Sequence, residues 1–222
     1  MSRKLGLGAI AGTLTAGLVL AFAVTATPAA DAHAGPGSPA AKAAFHDAMR
    51  KLWEDHIVWT RQFIVSAATE TGDLADIGPT TDRLLANQAD IGNALKPFYG
   101  EAAGNQVTAL LRDHILTAAE LVAAAKAGDS AAVETASAAW YQNADDIAIA
   151  LNSLNPKHWP LAEMKAHMTD HLDLTLEEAV ARLQGRYADD IAAYDKVHAD
   201  ILERADMLSD GIIAQFPSKF AR

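Results

Sequence analysis

Residues 45–63 read FHDAMRKLWEDHIVWTRQF. Phe45, Met49, Leu52, His56, Trp59 and Phe63 recur at spacings of three and four, the period that lines one face of an α-helix. One polar residue, His56, stands inside that apolar stripe. Ser38-Pro39 opens the helix, with Ser38 as cap and Pro39 in the first turn. Thr71-Gly72-Asp73 is its expected stop.

The same period continues down the chain. A second helix is expected after Pro79, with Leu84, Asn87, Ile91 and Ala94 or Leu95 inward, closed by Pro97 and Gly100. A third carries Val107, Leu111, His114, Ala118, Leu121 and Ala125 and stops at Gly128-Asp129. A fourth carries Val133, Ala136, Trp140, Asn143, Ile147, Leu151 and Leu154 and stops at Asn155-Pro156. Pro160 starts a fifth, with Leu161, Met164, Met168 and His171. From Leu176 the stripe Val180, Leu183, Tyr187, Ile191, Tyr194, His198, Ile201, Ala205, Leu208, Ile212 runs unbroken. Thr175-Leu-Glu-Glu178 reads as a capping box that starts it. Gly185 costs only about 1 kcal/mol inside a helix, so one long final helix, ending near Pro217, is expected. No segment alternates with period two. Short connections imply antiparallel neighbours, and the expected fold is an all-α, up-and-down antiparallel bundle of five or six helices.

The chain also echoes itself. Residues 52–57, LWEDHI, resemble residues 110–115, LLRDHI, and Asp170-His171-Leu172 repeats their centre. Asn87-Gln-Ala-Asp-Ile91 matches Asn143-Ala-Asp-Asp-Ile147. An internally duplicated helical hairpin is the reading. A third copy matches through its histidine alone.

The first 34 residues read as an address. Arg3 and Lys4 precede an uncharged run from Leu5 to Pro28, followed by Ala29-Ala-Asp-Ala-His-Ala34, an export signal cleaved after Ala32 or Ala34. Residues 35–38 are a flexible lead-in, and 39–222 form a single domain. Cleavage at Ala34 removes Arg3, Lys4 and Asp31, so the 18 basic and 28 acidic residues become 16 and 27, and the charge moves from −10 to −11. That sign argues against nucleic acid, whose affinity rests on Lys and Arg neutralising phosphates. No later stretch is long and apolar enough to span a membrane. The expected location is extracytoplasmic, secreted or in the cell envelope.

There is no cysteine. Disulfides, thiolate metal sites and Cys nucleophiles are excluded, and His, Asp and Glu remain as the strong metal ligands. His56, His114, Asn87 and Asn143 stand on apolar stripes. A buried polar group left unpaired costs about 1–3 kcal/mol, so these four are expected to bond internally. Such a network either sets the register of the bundle or lines a ligand site. His167-x-x-x-His171 puts two imidazoles on one helix face, close enough to share a metal. Asp195-x-x-His198 resembles the carboxylate-x-x-His element of di-metal bundles. His56, His114, His167, His171, Asp195 and His198 are therefore the candidate ligands, suited to Zn, Cu or Fe. The competing reading of the pair is a surface or capping arrangement. The order of histidines also resembles part of the hemerythrin pattern, but Thr60 and Ala118 stand where that family's His-x-x-x-Glu element has Glu.

Glu54, Asp55, Asp113, Asp145, Asp146, Asp189 and Asp190 fall off the stripes and read as a solvated face. Trp53, Trp59, Trp140 and Trp159 read as core or rim. No Gly-x-Ser-x-Gly, P-loop or dinucleotide glycine run is present, and no catalytic residue is assigned.

Residues 52–61 (LWEDHIVWTR), 93–100 (NALKPFYG), 140–147 (WYQNADDI) and 215–220 (QFPSKF) resemble a family of uncharacterised, mostly Gram-positive bacterial exported proteins. The likeness spans nearly all of the mature chain and implies export and a helical domain. Members are often labelled glycosyltransferase or acetylglutamate kinase. Both activities normally use nucleotide-binding α/β folds, and no parallel-strand pattern is found here. The functional expectation is an exported binding protein that holds a metal ion or small ligand through internal His and Asp. A structural or interaction module of the cell envelope is the alternative, and a transferase the third.

Overall fold

The computed structural model describes residues 38–69 and 72–221. The export segment, and with it residues 35–37 of the lead-in, lies outside them. The three-and-four periodicity winds into α1 (Pro39–Ala67), α2 (Ile77–Tyr99), α3 (Glu101–Ala127), α4 (Ser130–Leu154), α5 (Leu161–Leu183) and α6 (Tyr187–Gln215), followed by a 3-10 turn, Pro217–Phe220. No strand occurs among the described residues.

The stops are local. Gly100 and Gly128 take positive φ, 87° and 70°, at the ends of α2 and α3, a region that only glycine enters cheaply. Asp129 caps α4 by accepting from Ala131 N and Ala132 N at 3.1 and 3.0 Å. Asn155-Pro156 ends α4, and Pro160 leads into α5. Two ends differ from expectation. α1 stops at Ala67, short of Thr71, because Leu74 N bonds Ser66 O and Ser66 Oγ donates to Asp76 Oδ1, both at 2.8 Å, which turns the chain into α2. Ser38 sits at the cap of α1 without a side-chain bond to it, and α2 begins at Ile77, before Pro79.

The long final helix is corrected to a hairpin. α5 runs straight through Thr175–Glu178; Thr175 Oγ1 donates to His171 O at 2.8 Å within the helix and caps nothing. The break comes at Gln184-Gly185-Arg186, with Gly185 at φ 70°. The break puts the first turns of α6 out of step with the unbroken stripe: Tyr187 and Ile191 are exposed, and Ala193 and Val197 point inward in place of Tyr194 and His198. From Ile201 onward the stripe holds, with Ile201, Ala205, Leu208 and Ile212 buried and Arg204 beside them.

Each helix packs on the helix before and after it in the chain, and α6 returns to pack on α1. Six antiparallel helices thus close a ring. α1 also leans across to touch α3 and α5. Toward one end of the bundle all six helices share a single large apolar core, with Met49, Ile91, Leu111, Ile147, Met164 and Ile212 among its buried members. Toward the other end the apolar residues form separate small clusters. The histidines lie between the two.

Candidate functional site

His56, His114 and His171 come from α1, α3 and α5, the three helices that lean together. All are buried, at 3, 3 and 6% exposure. The His171 ring lies 5.9 Å from that of His56 and 6.4 Å from that of His114, centroid to centroid. His114 also stacks on Trp140 at 5.4 Å. A layer of three imidazoles therefore crosses the bundle axis.

Each ring faces a polar group from the next helix. His114 Nδ1–H donates to Asn143 Oδ1 at 3.0 Å, because the Asn143 amide nitrogen is committed to Leu110 O at 3.1 Å. Asn87 on α2 donates in the same way to Leu52 O at 3.0 Å. Its neighbour Gln88 donates to Leu84 O and Asn87 Oδ1 and stands beside His56. Asp200 on α6 lies 3.7 Å from His171 Nδ1, too long for a hydrogen bond. Arg204 Nε holds the same carboxylate at 2.6 Å.

Burial sets the charge state of the layer. Desolvation, reinforced by the neighbouring imidazoles, holds His56 well below the ordinary histidine range. The same causes bring His114 down to about 3 against the favourable Asn143 bond. Both rings are uncharged at neutral pH. Burial pushes the Asp200 carboxyl upward, but His171 and Arg204 outweigh it and hold it below the usual range. The site thus contains one compensated ion pair, Asp200 with Arg204, and two uncharged imidazoles, His56 and His114.

The layer borders a cavity of about 40 Å³, lined also by Trp53, His167, Arg204, Met164 and Met207. Four residues of that lining each bury a nitrogen that makes no hydrogen bond, Trp53 Nε1, His56 Nδ1, His171 Nδ1 and Arg204 Nη1; these atoms are covered, and the wall itself is apolar.

Of the expected metal set, the structure brings His56, His114, His171 and, at the half-buried edge, His167 to one cavity. It separates the rest. His198 is on the outside, 2.9 Å from Glu54 Oε1, and Asp195 is exposed beside it. A stripe that runs unbroken through Gly185 puts His198 inward, and the first turns of α6 are out of step with it. Among the described residues no three His, Asp or Glu side chains are arranged to hold one metal ion.

Several polar residues escaped the sequence reading. Asp190, assigned to a solvated face, is fully buried with Glu178. Arg61 Nη1 donates to Glu178 Oε1 at 2.7 Å and Arg61 Nη2 to Asp190 Oδ2 at 3.0 Å, tying α1 to α5 and α6. Asp200 and Arg204 were missed too. An acid and a base at i and i+4 look like a surface pair, and only the stripe Ile201, Ala205, Leu208 beside them signalled burial. No helix of the described residues is long and apolar enough to cross a membrane. The chain matches no family model, no curated protein and no solved structure.

Proposed function

We propose that this chain is a binding protein whose internal cavity takes a small oxyanion, of carboxylate or nitrate size, together with a proton. The observation that carries the reading is the set of four buried nitrogens without a hydrogen bond on residues that line one cavity. Indole and guanidinium nitrogens only donate, and a neutral imidazole donates from one of its two nitrogens. Donors that lie just behind the wall and lack a partner favour an oxygen-rich guest that draws them to the cavity. The space holds roughly two or three waters, or a ligand of about that size.

Arg204 is already matched by Asp200, so a bound anion needs a counter-charge. An imidazole beside the anion supplies it by taking up a proton, the anion's charge offsetting the burial that lowers His56 and His114. Affinity for the anion then rises as pH falls through the unperturbed histidine range. The test uses the full chain, with thermal shift and calorimetry on formate, acetate and nitrate against chloride at matched ionic strength, at pH 5.5 and 7.5. Oxyanion-specific stabilisation, larger at pH 5.5 and lost in Arg204→Gln and His56→Phe, is the supporting result. Equal effects of chloride and the oxyanions at both pH values refute it.

The closeness of the three imidazoles favours a second reading, a Zn, Cu or Fe ion on the same residues. An ion bound at about 2.1 Å from each nitrogen needs the rings drawn about 1 Å nearer than they stand. Metal content of the purified protein separates the readings; near-stoichiometric metal lost in His114→Ala supports the ion.

Export belongs to the same proposal, and a mature N-terminus at His33 or Gly35 is its test. So does repetition of the hairpin. Asn87 and Asn143 bond the carbonyl four residues before His56 and His114 respectively, and Asp200 follows Asn143 at the spacing of a third copy.

A further inference from the structure

A second, larger cavity lies on the other side of the histidine layer. It offers about 220 Å³ and is walled by α1, α3, α4 and α5, with Phe63, Ile64, Leu121, Trp140, Leu176 and Ala179 among its lining. Thr60, Ala118 and Thr175 also line it. Each follows a layer histidine by four residues, one helical turn. The two hydroxyls are spent on their own helices, Thr60 on His56 O and Thr175 on His171 O, both at 2.8 Å. The wall is therefore apolar. Trp140, a lining residue 3% exposed, keeps its indole N–H covered behind that wall, where it meets no acceptor.

Protein interiors leave few voids larger than a water molecule, and here the core divides into separate clusters around the space. A cavity of 150 Å³ takes the six carbons of benzene, so 220 Å³ holds roughly eight or nine carbons. The histidine layer lies between the chamber and the oxyanion cavity. A methylene passing between two rings needs about 7 Å between their centroids, and His171 stands 5.9 and 6.4 Å from His56 and His114, too close to let one through on either side of it. Ala125, which is exposed, and Val133 and Leu183, which are partly exposed, mark the rim at the far end of the bundle.

We infer that this chamber is a separate binding site for a small apolar molecule of about eight or nine carbons carrying one hydrogen-bond acceptor, the indole of Trp140 tipping so that its Nε1–H meets that acceptor. A monocyclic aromatic ketone has that chemistry. The experiment titrates the full chain with acetophenone and with ethylbenzene, which has the same carbon count and no acceptor, by calorimetry and thermal shift. Both are expected to bind saturably, acetophenone about fivefold more tightly, the worth of one hydrogen bond. Trp140→Phe is expected to equalise them. Ala179→Phe fills the chamber and is expected to weaken both by tenfold or more; Ala118→Leu does the same from the opposite wall should Ala179→Phe fail to fold. No saturable binding of either compound, or binding untouched by the filling variants, overturns the site. Equal affinities in the unaltered chain overturn the assignment of Trp140 as donor.

Discussion

His114 shows how much one side chain can specify. Its Nδ1 proton is held by Asn143, its face by Trp140, and its charge is removed by burial. Asn143→Ala deletes the acceptor and leaves that proton unmatched, a loss of about 1–3 kcal/mol in urea unfolding. The pH dependence follows from the same surroundings. Between the unfolded value near 6.5 and the folded value near 3, unfolded His114 binds a proton that the native ring refuses. Stability therefore falls as pH drops through that window, by up to about 1.4 kcal/mol per pH unit for each such histidine. His56 adds to this slope in the same direction. Glu178 opposes it. Burial raises its carboxyl to about 7 despite Arg61, so between 4.5 and 7 the native state holds the extra proton. Thermal midpoints measured from pH 8 to 4 should flatten in His56→Phe and steepen in Glu178→Gln. The histidines and asparagines were legible in the sequence because a polar residue on an apolar stripe has few places to go. Glu178 and Asp190 were not, since their burial depends on Arg61, more than a hundred residues earlier.

At the scale of elements, two glycines decide how closely helices approach. A Cβ on Gly92 would stand 2.5 Å from Gly104 O, and one on Gly104 would stand 2.6 Å from Gly92 O. α2 and α3 touch backbone to backbone there. Gly92→Ala and Gly104→Ala are each expected to cost about 1–3 kcal/mol by forcing the helices apart. Gly78→Ala, facing open space in the first turn of α2, should be neutral or mildly stabilising. Urea midpoints of the three variants check the contrast. Helix existence was readable throughout, because period and stop residues agreed. The break at Gly185 was not. A glycine inside a helix and a glycine that ends one differ by about 1 kcal/mol in local cost, and the choice fell to packing of α6 against α1. Once that break was missed, Tyr187 and Ile191 were placed inside.

Across the whole molecule, closure of the ring depends on its last residues. Phe220 is buried against Phe45 of α1 at 5.1 Å and Phe98 of α2 at 5.7 Å, and Lys219 Nζ donates to Pro97 O at 2.6 Å. Phe220→Ala should cost about 3–5 kcal/mol and speed hydrogen exchange in the adjoining turns of α1 and α2. Short connections made the up-and-down order legible. They could not show that α6 meets α1, because no loop joins that pair. The closed circuit has a consequence for chain connectivity. Ser38 and Phe220 belong to the same end of the ring, so covalent order is one of several ways to cut the same circle. A circular permutant that joins residue 221 to residue 38 through a short linker and opens at Gln184-Gly185 should fold cooperatively with the histidine layer intact, as domains with neighbouring termini do.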